Sequence, residues 1–171
     1  QFIVEAGMQA MARGETKYIH NLGLPSLREA IAAYSSRLHG IDLPASRIAV
    51  TSSGVSALMI AMQMVVSPGD KVVVVTPIWP NIAEMPRLLS AEVIRHPLVI
   101  ENGRWRLDVG ALIARLTPDV RMLVVNSPNN PTGWTIARED QQVLLDHCRR
   151  HGIWILSDEV YERLCFRPGL R

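Results

Sequence analysis

Four consecutive valines, Val72 to Val75, do most to restrict what this chain can become. Branched side chains favour strands, and successive residues of a strand point to opposite faces. A run that is apolar at every position therefore has to be covered on both sides. The run extends over Lys71 to Thr76, too short to cross a bilayer. Met122 to Asn126 and Ile153 to Leu156 repeat the pattern, and Arg47 to Thr51 gives a shorter apolar strand.

Helical patterns separate these strands. Ser26-Leu27-Arg28-Glu29 reads as a capping box, followed by Leu27, Ala30, Ile31, Tyr34 and Leu38 at helical spacing, with Gly40 as the stop. Val55 to Val66 reads as a buried helix ended by Pro68-Gly69-Asp70. Asn81 to Leu89, Asp108 to Leu116 (with Asp108 as N-cap) and Arg138 to His151 are further helices, and Glu92 to Arg95 a brief strand. Buried strands alternating with helices predict an α/β fold, a three-layer sandwich with a mainly parallel central sheet. Ligands of such sheets bind where the carboxyl ends of the strands open into loops. The predicted organisation is a lead-in segment, residues 1–45, and part of a larger domain, residues 46–171.

Composition narrows the function classes. The 171 residues are 48% hydrophobic and 20% charged, and the net charge is 18 − 16 = +2. So weak a positive balance does not predict nucleic acid as a partner. No stretch reaches the roughly 18 apolar residues of a membrane span, so no membrane association is expected. Cys148 and Cys165 form no metal or redox motif and read as free thiols of a reducing cytoplasm. His147 and His151 stand four apart on the Arg138–His151 helix. Without a convincing third ligand they read as a solvated helix face, and no metal site is predicted.

Three strand ends carry chemistry. Ser52-Ser53-Gly54 leads from a strand into a helix, where small residues and backbone N–H groups suit an anion such as phosphate; an ordinary turn with a serine N-cap is the plain alternative. Asn126-Ser127-Pro128-Asn129-Asn130-Pro131-Thr132-Gly133 is a stiff, amide-rich loop, either functional or merely a rigid connector. Asp158 follows Ile153-Trp154-Ile155-Leu156, and a carboxylate there needs a metal, an arginine or a protonated ring nitrogen, unless it simply caps a helix. Trp79 could stack on a ligand ring or fill core. Neither a G-x-G-x-x-G nor a P-loop motif occurs.

Taken in order, these segments resemble the class I/II aminotransferases of the fold-type I superfamily that uses pyridoxal 5′-phosphate (PLP). The resemblance runs through Thr16-Lys17-Tyr18, Gly23-Leu24-Pro25, Ser52-Ser53-Gly54, Pro68-Gly69-Asp70, Thr76-Pro77-Ile78-Trp79-Pro80, Asn130-Pro131-Thr132-Gly133 and Ser157-Asp158-Glu159-Val160-Tyr161. It implies that the chain is an incomplete large domain of such an enzyme, moving an amino group between an amino acid and a 2-oxo acid in a cytoplasmic homodimer. It implies that Asp158 pairs with the pyridine nitrogen of PLP, that Tyr161 and Asn130 bond its phenolic oxygen, and that Trp79 stacks on its ring. Backbone N–H groups of Ser53, Gly54 and Val55 would hold the phosphate, and Tyr18 would reach the phosphate of a partner subunit. Asn130 and Trp79 would also contact substrate. Cis peptides at Asn130–Pro131 and Thr76–Pro77 are implied as well.

One departure matters. The family anchors the cofactor on a lysine some tens of residues beyond the Ser157–Tyr161 segment, and the only lysines here are Lys17 and Lys71. No catalytic residue is therefore assigned within the chain; the lysine is expected beyond Arg171. The chain, which begins at Gln1, reads as a fragment. A related PLP lyase or synthase, the aminotransferase-like effector domain of a transcription regulator, and a degraded pseudoenzyme remain alternatives.

Overall fold

The structure, a computed structural model, describes residues 1–164. The chain divides into two compact units, Gln1–Thr51 and Ser52–Arg171.

The first unit holds helices α1 (Phe2–Ala12) and α2 (Pro25–His39). Helix α2 starts one residue ahead of the expected capping box. Pro25, which has no N–H to leave unpaired, takes the first helical position, and Leu24 is an N-cap without a side-chain bond. Gly40 ends the helix in the left-handed region, as expected. The strand expected over Arg47 to Thr51 is absent. Ala45–Arg47 is a single 3-10 turn, and the backbone that follows is held by other means. Val50 N–H donates to Leu22 O at 2.9 Å, while the Arg28 guanidinium donates to Ile48 O (2.7 Å) and Ala45 O (2.9 Å). An arginine fork does there what a neighbouring strand would do. Gly23 has φ +96, and a Cβ on it would lie 2.7 Å from the Val50 Cβ, so no other residue fits without shifting this contact.

The second unit is built on four parallel strands in the order β2 (Glu92–Pro97), β1 (Lys71–Thr76), β5 (Val120–Asn126) and β6 (Trp154–Asp158). Side-chain alternation sorts the core into two layers. Val73, Val75, Leu123 and Val125 point towards α5 (Val109–Arg115) and α6 (Arg138–His151) and pack with Leu112, Leu116, Leu144 and Cys148. Val72, Val74, Met122 and Val124 point the other way, towards α3 (Gly54–Val65) and α4 (Pro80–Leu88), and pack with Met62, Ile82 and Met85. The result is the expected three-layer sandwich. From β1 the chain crosses to β2 by α4, and from β5 to β6 by α6. These crossovers run in opposite directions along the sheet, so one handedness puts their helices on opposite faces.

Helix α3 is less buried than its apolar sequence suggested. Only Met62 within it is buried, whereas Ile60 and Met64 are exposed. A helix laid on a sheet covers one stripe only. Between β2 and α5 lies an unexpected hairpin, β3 (Val99–Glu101) and β4 (Arg104–Arg106), which turns at Asn102-Gly103 with positive φ at both residues. Asp108 caps α5 as expected, its Oδ1 accepting from Ala111 N–H at 2.9 Å.

Candidate active site

The site grows out of the point where the strand order reverses, between β1 and β5, because loops leaving neighbouring strands in opposite directions leave a crevice. Strand β1 runs out at Thr76 into the loop that bears Trp79. Strand β5 runs out at Asn126 into the asparagine-rich loop. Strand β6 ends on Asp158, which stands in register with Asn126 on β5. The amino end of α3 completes the group. Gly54, Val55, Trp79, Asn130, Asp158 and Tyr161 line one cleft of about 800 Å3, with Leu58, Ala61, Leu156 and Val160 supplying apolar wall.

Each wall has a local cause. Ser53 is the N-cap of α3: its Oγ accepts from Ser56 N–H at 3.1 Å and its carbonyl from Ala57 N–H. The N–H groups of Gly54 and Val55 precede the first intrahelical bond, at the positive end of the helix dipole, and both residues line the cleft. The turn reading and the anion reading of Ser52-Ser53-Gly54 are thus compatible.

The asparagine-rich loop is tied from within. Asn129 is buried; its Nδ2 donates to Pro77 O (3.2 Å), and its Oδ1 accepts from Thr132 N–H (3.1 Å) and Thr132 Oγ1 (2.7 Å). Thr132 Oγ1 in turn accepts from Trp134 N–H, and Ser127 Oγ from Ile136 N–H. The bond to Pro77 fastens this loop to the one carrying Trp79. The peptides Thr76–Pro77 and Asn130–Pro131 are cis, and so is Ser127–Pro128, which the sequence reading had not singled out.

Asp158 is half-buried. One carboxylate oxygen accepts from Val160 N–H at 3.1 Å, a short turn that aims the chain toward Tyr161. Tyr161 Oη and Asn130 Nδ2 stand 3.5 Å apart across the cleft. Carboxylate, amide, phenol and indole thus converge beside a helix amino terminus.

Other candidates fall elsewhere. Tyr18 lies fully exposed in the first unit. Lys71 begins β1, so it stands at the opposite edge of the sheet from the cleft. Its ammonium bonds Asp119 Oδ2 at 2.5 Å; that bond raises the lysine and helps draw Asp119 down to about 2. A lysine held charged in this way is no nucleophile. His147 Nε2 meets Leu116 O at 2.8 Å and its ring leans on His151, and among the described residues no group of three or more ligating side chains could hold a metal. Burial lifts the Cys148 thiol to about 11, which leaves it unreactive; Cys165 lies outside the described residues. Among the described residues no helix is long and apolar enough to cross a membrane.

Sequence reasoning assigned no role to Asn126 or Asn129 individually, although buried asparagines at a strand end were a signal: polar groups there need specific partners.

The geometry has counterparts in known proteins. Residues 1–170 match the family of aminotransferases of class I and II. A probable aspartate/prephenate aminotransferase of Thermus aquaticus is 36% identical over 99% of this chain and 45% of its own length. An aspartate aminotransferase of Pyrococcus horikoshii is 34% identical over 98% of the chain and 42% of its own. Among solved structures, N-succinyldiaminopimelate aminotransferase from Mycobacterium tuberculosis superposes with a TM-score of 0.92 at 30% identity, over 97% of this chain and 44% of that one. Aspartate aminotransferase from Thermus thermophilus with maleate gives 0.90 at 34%, over 96% and 43%. The chain therefore spans less than half the length of these relatives. Members of the family use pyridoxal 5′-phosphate. The match over residues 1–170, nearly the whole chain, shows that this chain belongs to the class I and II aminotransferases.

Proposed function

We propose that the chain is the cofactor-binding portion of a PLP-dependent aminotransferase that moves an amino group between an amino acid and a 2-oxo acid. What carries the reading is the convergence of Asp158, Asn130, Tyr161 and Trp79 on one cleft beside the amino end of α3, in a chain of this family. The donor set fits the cofactor. A carboxylate suits a protonated ring nitrogen, an amide and a phenol suit a ring oxygen, an indole suits a ring face, and first-turn N–H groups suit a phosphate.

When bound, PLP supplies an electron-accepting ring conjugated to the substrate nitrogen. The chain's own residues do the rest. Asp158 keeps a proton on the ring nitrogen by opposing its charge. Asn130 and Tyr161 orient the ring through its oxygen, and Asn130 and Trp79 also meet substrate. Gly54 and Val55, with Ser53, anchor the phosphate. The covalent anchor and the proton shuttle are a lysine that this reading assigns to residues other than Lys17 and Lys71. Residues 1–45 form a lead-in and residues 46–171 part of the large domain. The complete protein works in the cytoplasm as a homodimer, in which Tyr18 reaches the partner's phosphate. The named relatives are all aminotransferases, which favours group transfer over a regulator's effector domain.

The test is a PLP titration of the protein expressed from its complete gene, followed by visible absorbance, with wild type beside Asp158→Asn. Losing one charge-assisted bond costs about 1.5–3 kcal/mol, so Asp158→Asn should bind roughly 10- to 150-fold more weakly. A wild-type protein that takes up no PLP, or an Asp158→Asn variant that binds as wild type does, would sink the proposal.

A further inference from the structure

We propose that Asn126 is a positioning residue of this cleft: its buried side-chain amide locks the backbone of Asp158 to the backbone of Asn130. The inference rests on the PLP-site reading above. Asn126 Oδ1 accepts from Asn130 N–H at 2.8 Å, and Nδ2 donates to Asp158 O at 3.1 Å. Ser127 N–H reaches the same carbonyl at 3.0 Å. The amide can be oriented in only one way, because an N–H faces one end and a C=O the other. Swapping the two atoms would set donor against donor and acceptor against acceptor.

The choice of residue is informative. Asn126 is 2% exposed and ends a strand whose preceding residues Met122 to Val125 are buried and apolar. A valine there would continue the pattern, so burial alone does not call for an amide, and a buried amide costs stability unless both ends are matched. The described residues hold four buried polar side chains, His96, Asn126, Ser127 and Asn129; three of them lie in this strand end and loop. Both groups that Asn126 ties belong to residues that line the cleft, as Asn126 itself does. The amide therefore spans two strand ends and sets the spacing of the Asp158 carboxylate from the Asn130 amide, without itself being assigned a contact to cofactor or substrate.

The experiment compares wild type, Asn126→Ala, Asn126→Ser and Leu112→Ala, each expressed from the complete gene. Serine keeps a polar group in the slot but is too short to span both partners. Leu112, fully buried against α5's face of the sheet, is a control for lost stability away from the cleft. Three quantities are read: PLP affinity, the pH midpoint of the bound cofactor's visible band, and the melting temperature without PLP. Both Asn126 variants should bind PLP about tenfold more weakly, since an unmatched group at the strand end lets the site relax, and should shift the pH midpoint. Leu112→Ala should melt lower yet keep affinity and midpoint. Asn126 variants with wild-type affinity and midpoint would overturn the proposal, and so would failure of both to fold while Leu112→Ala folds, since that marks a purely structural role. A wild type that binds no PLP removes the site reading itself, and this inference with it.

Discussion

Replacing Asn129 by alanine tests how the cleft is held open. Its side chain makes three hydrogen bonds, to Pro77 O and from Thr132 N–H and Oγ1. The Thr132 hydroxyl can turn to another partner, but the Pro77 carbonyl and the Thr132 N–H cannot. A buried group left without a partner costs about 1–3 kcal/mol. Both residues are only half-buried, so water recovers part of that, and a total of about 2–4 kcal/mol follows. For a chain of this size each kcal/mol shifts the melting temperature by about 2–4 °C, so Asn129→Ala should melt roughly 5–15 °C below wild type. Calorimetry gives the melting point, and hydrogen exchange of the Thr132 amide gives the local readout, since that N–H loses its acceptor. A melting point within about 1 °C of wild type, together with unchanged Thr132 protection, would refute the account of the loop as an amide-tied clamp.

Two further outcomes follow from other parts of the molecule. His96 is buried with neither ring nitrogen partnered; burial and, after it, the Arg115 charge lower its pKa, which Asp108 only partly offsets. The folded state therefore takes up a proton less readily than the unfolded state, which does so below about pH 6.5, so stability falls as pH drops below that value. His96→Leu should gain melting temperature over wild type by a margin that widens from pH 8 to pH 5, and a constant margin would contradict this. Ser53→Ala removes the cap of α3 and should cost about 1 kcal/mol, or about 2–4 °C by thermal scan, with no loss meaning that water or Ser52 replaces it.

The two central strands, β1 and β5, were legible in the sequence because they are buried on both faces, whereas β6, expected to be covered likewise, buries none of its residues and exposes Trp154. Val72 to Val75 and Met122 to Val125 leave few alternatives, and β6 was found from Ile153 to Leu156, one residue off at its start. Helix α6 was read at both ends, since its apolar stripe is narrow and Gly152 stops it. Where the reading failed, side chains did work that pattern alone does not show. Apolar Ile48 and Val50 suggested a strand, but Arg28 satisfies the backbone instead. The hairpin was missed although Asn102-Gly103 is a strong turn signal, because its flanking residues, Val99 to Arg106, are mostly exposed and do not alternate cleanly. Helix α1 buries none of its residues, so no stripe singled it out. The cleft-forming loops were found by their composition, but the ties from Asn126 to Asp158 and from Asn129 to Pro77 were not, since hydrogen-bond partners distant in sequence leave no local pattern.

The same bonds show what the register of β6 means for the cleft. Strands that are apolar on both faces fix their own register weakly, because a slip by one residue exchanges one set of buried side chains for another. Slipping β6 against β5 would bring Ser157 opposite Asn126, and Ile155 and Leu156 would trade layers. In the observed register the Asp158 carbonyl receives both Ser127 N–H and Asn126 Nδ2. A slipped strand would offer those donors the Ser157 carbonyl instead, since every residue carries one, so the backbone bonds alone do not choose the register. What the slip would lose is the site: the Asp158 carboxylate would leave its place beside Asn130 on the cleft wall. A substitution at Asn126 therefore acts on the position of Asp158 through the bond to its carbonyl, whereas a slip of β6 would remove that carboxylate from the cleft altogether.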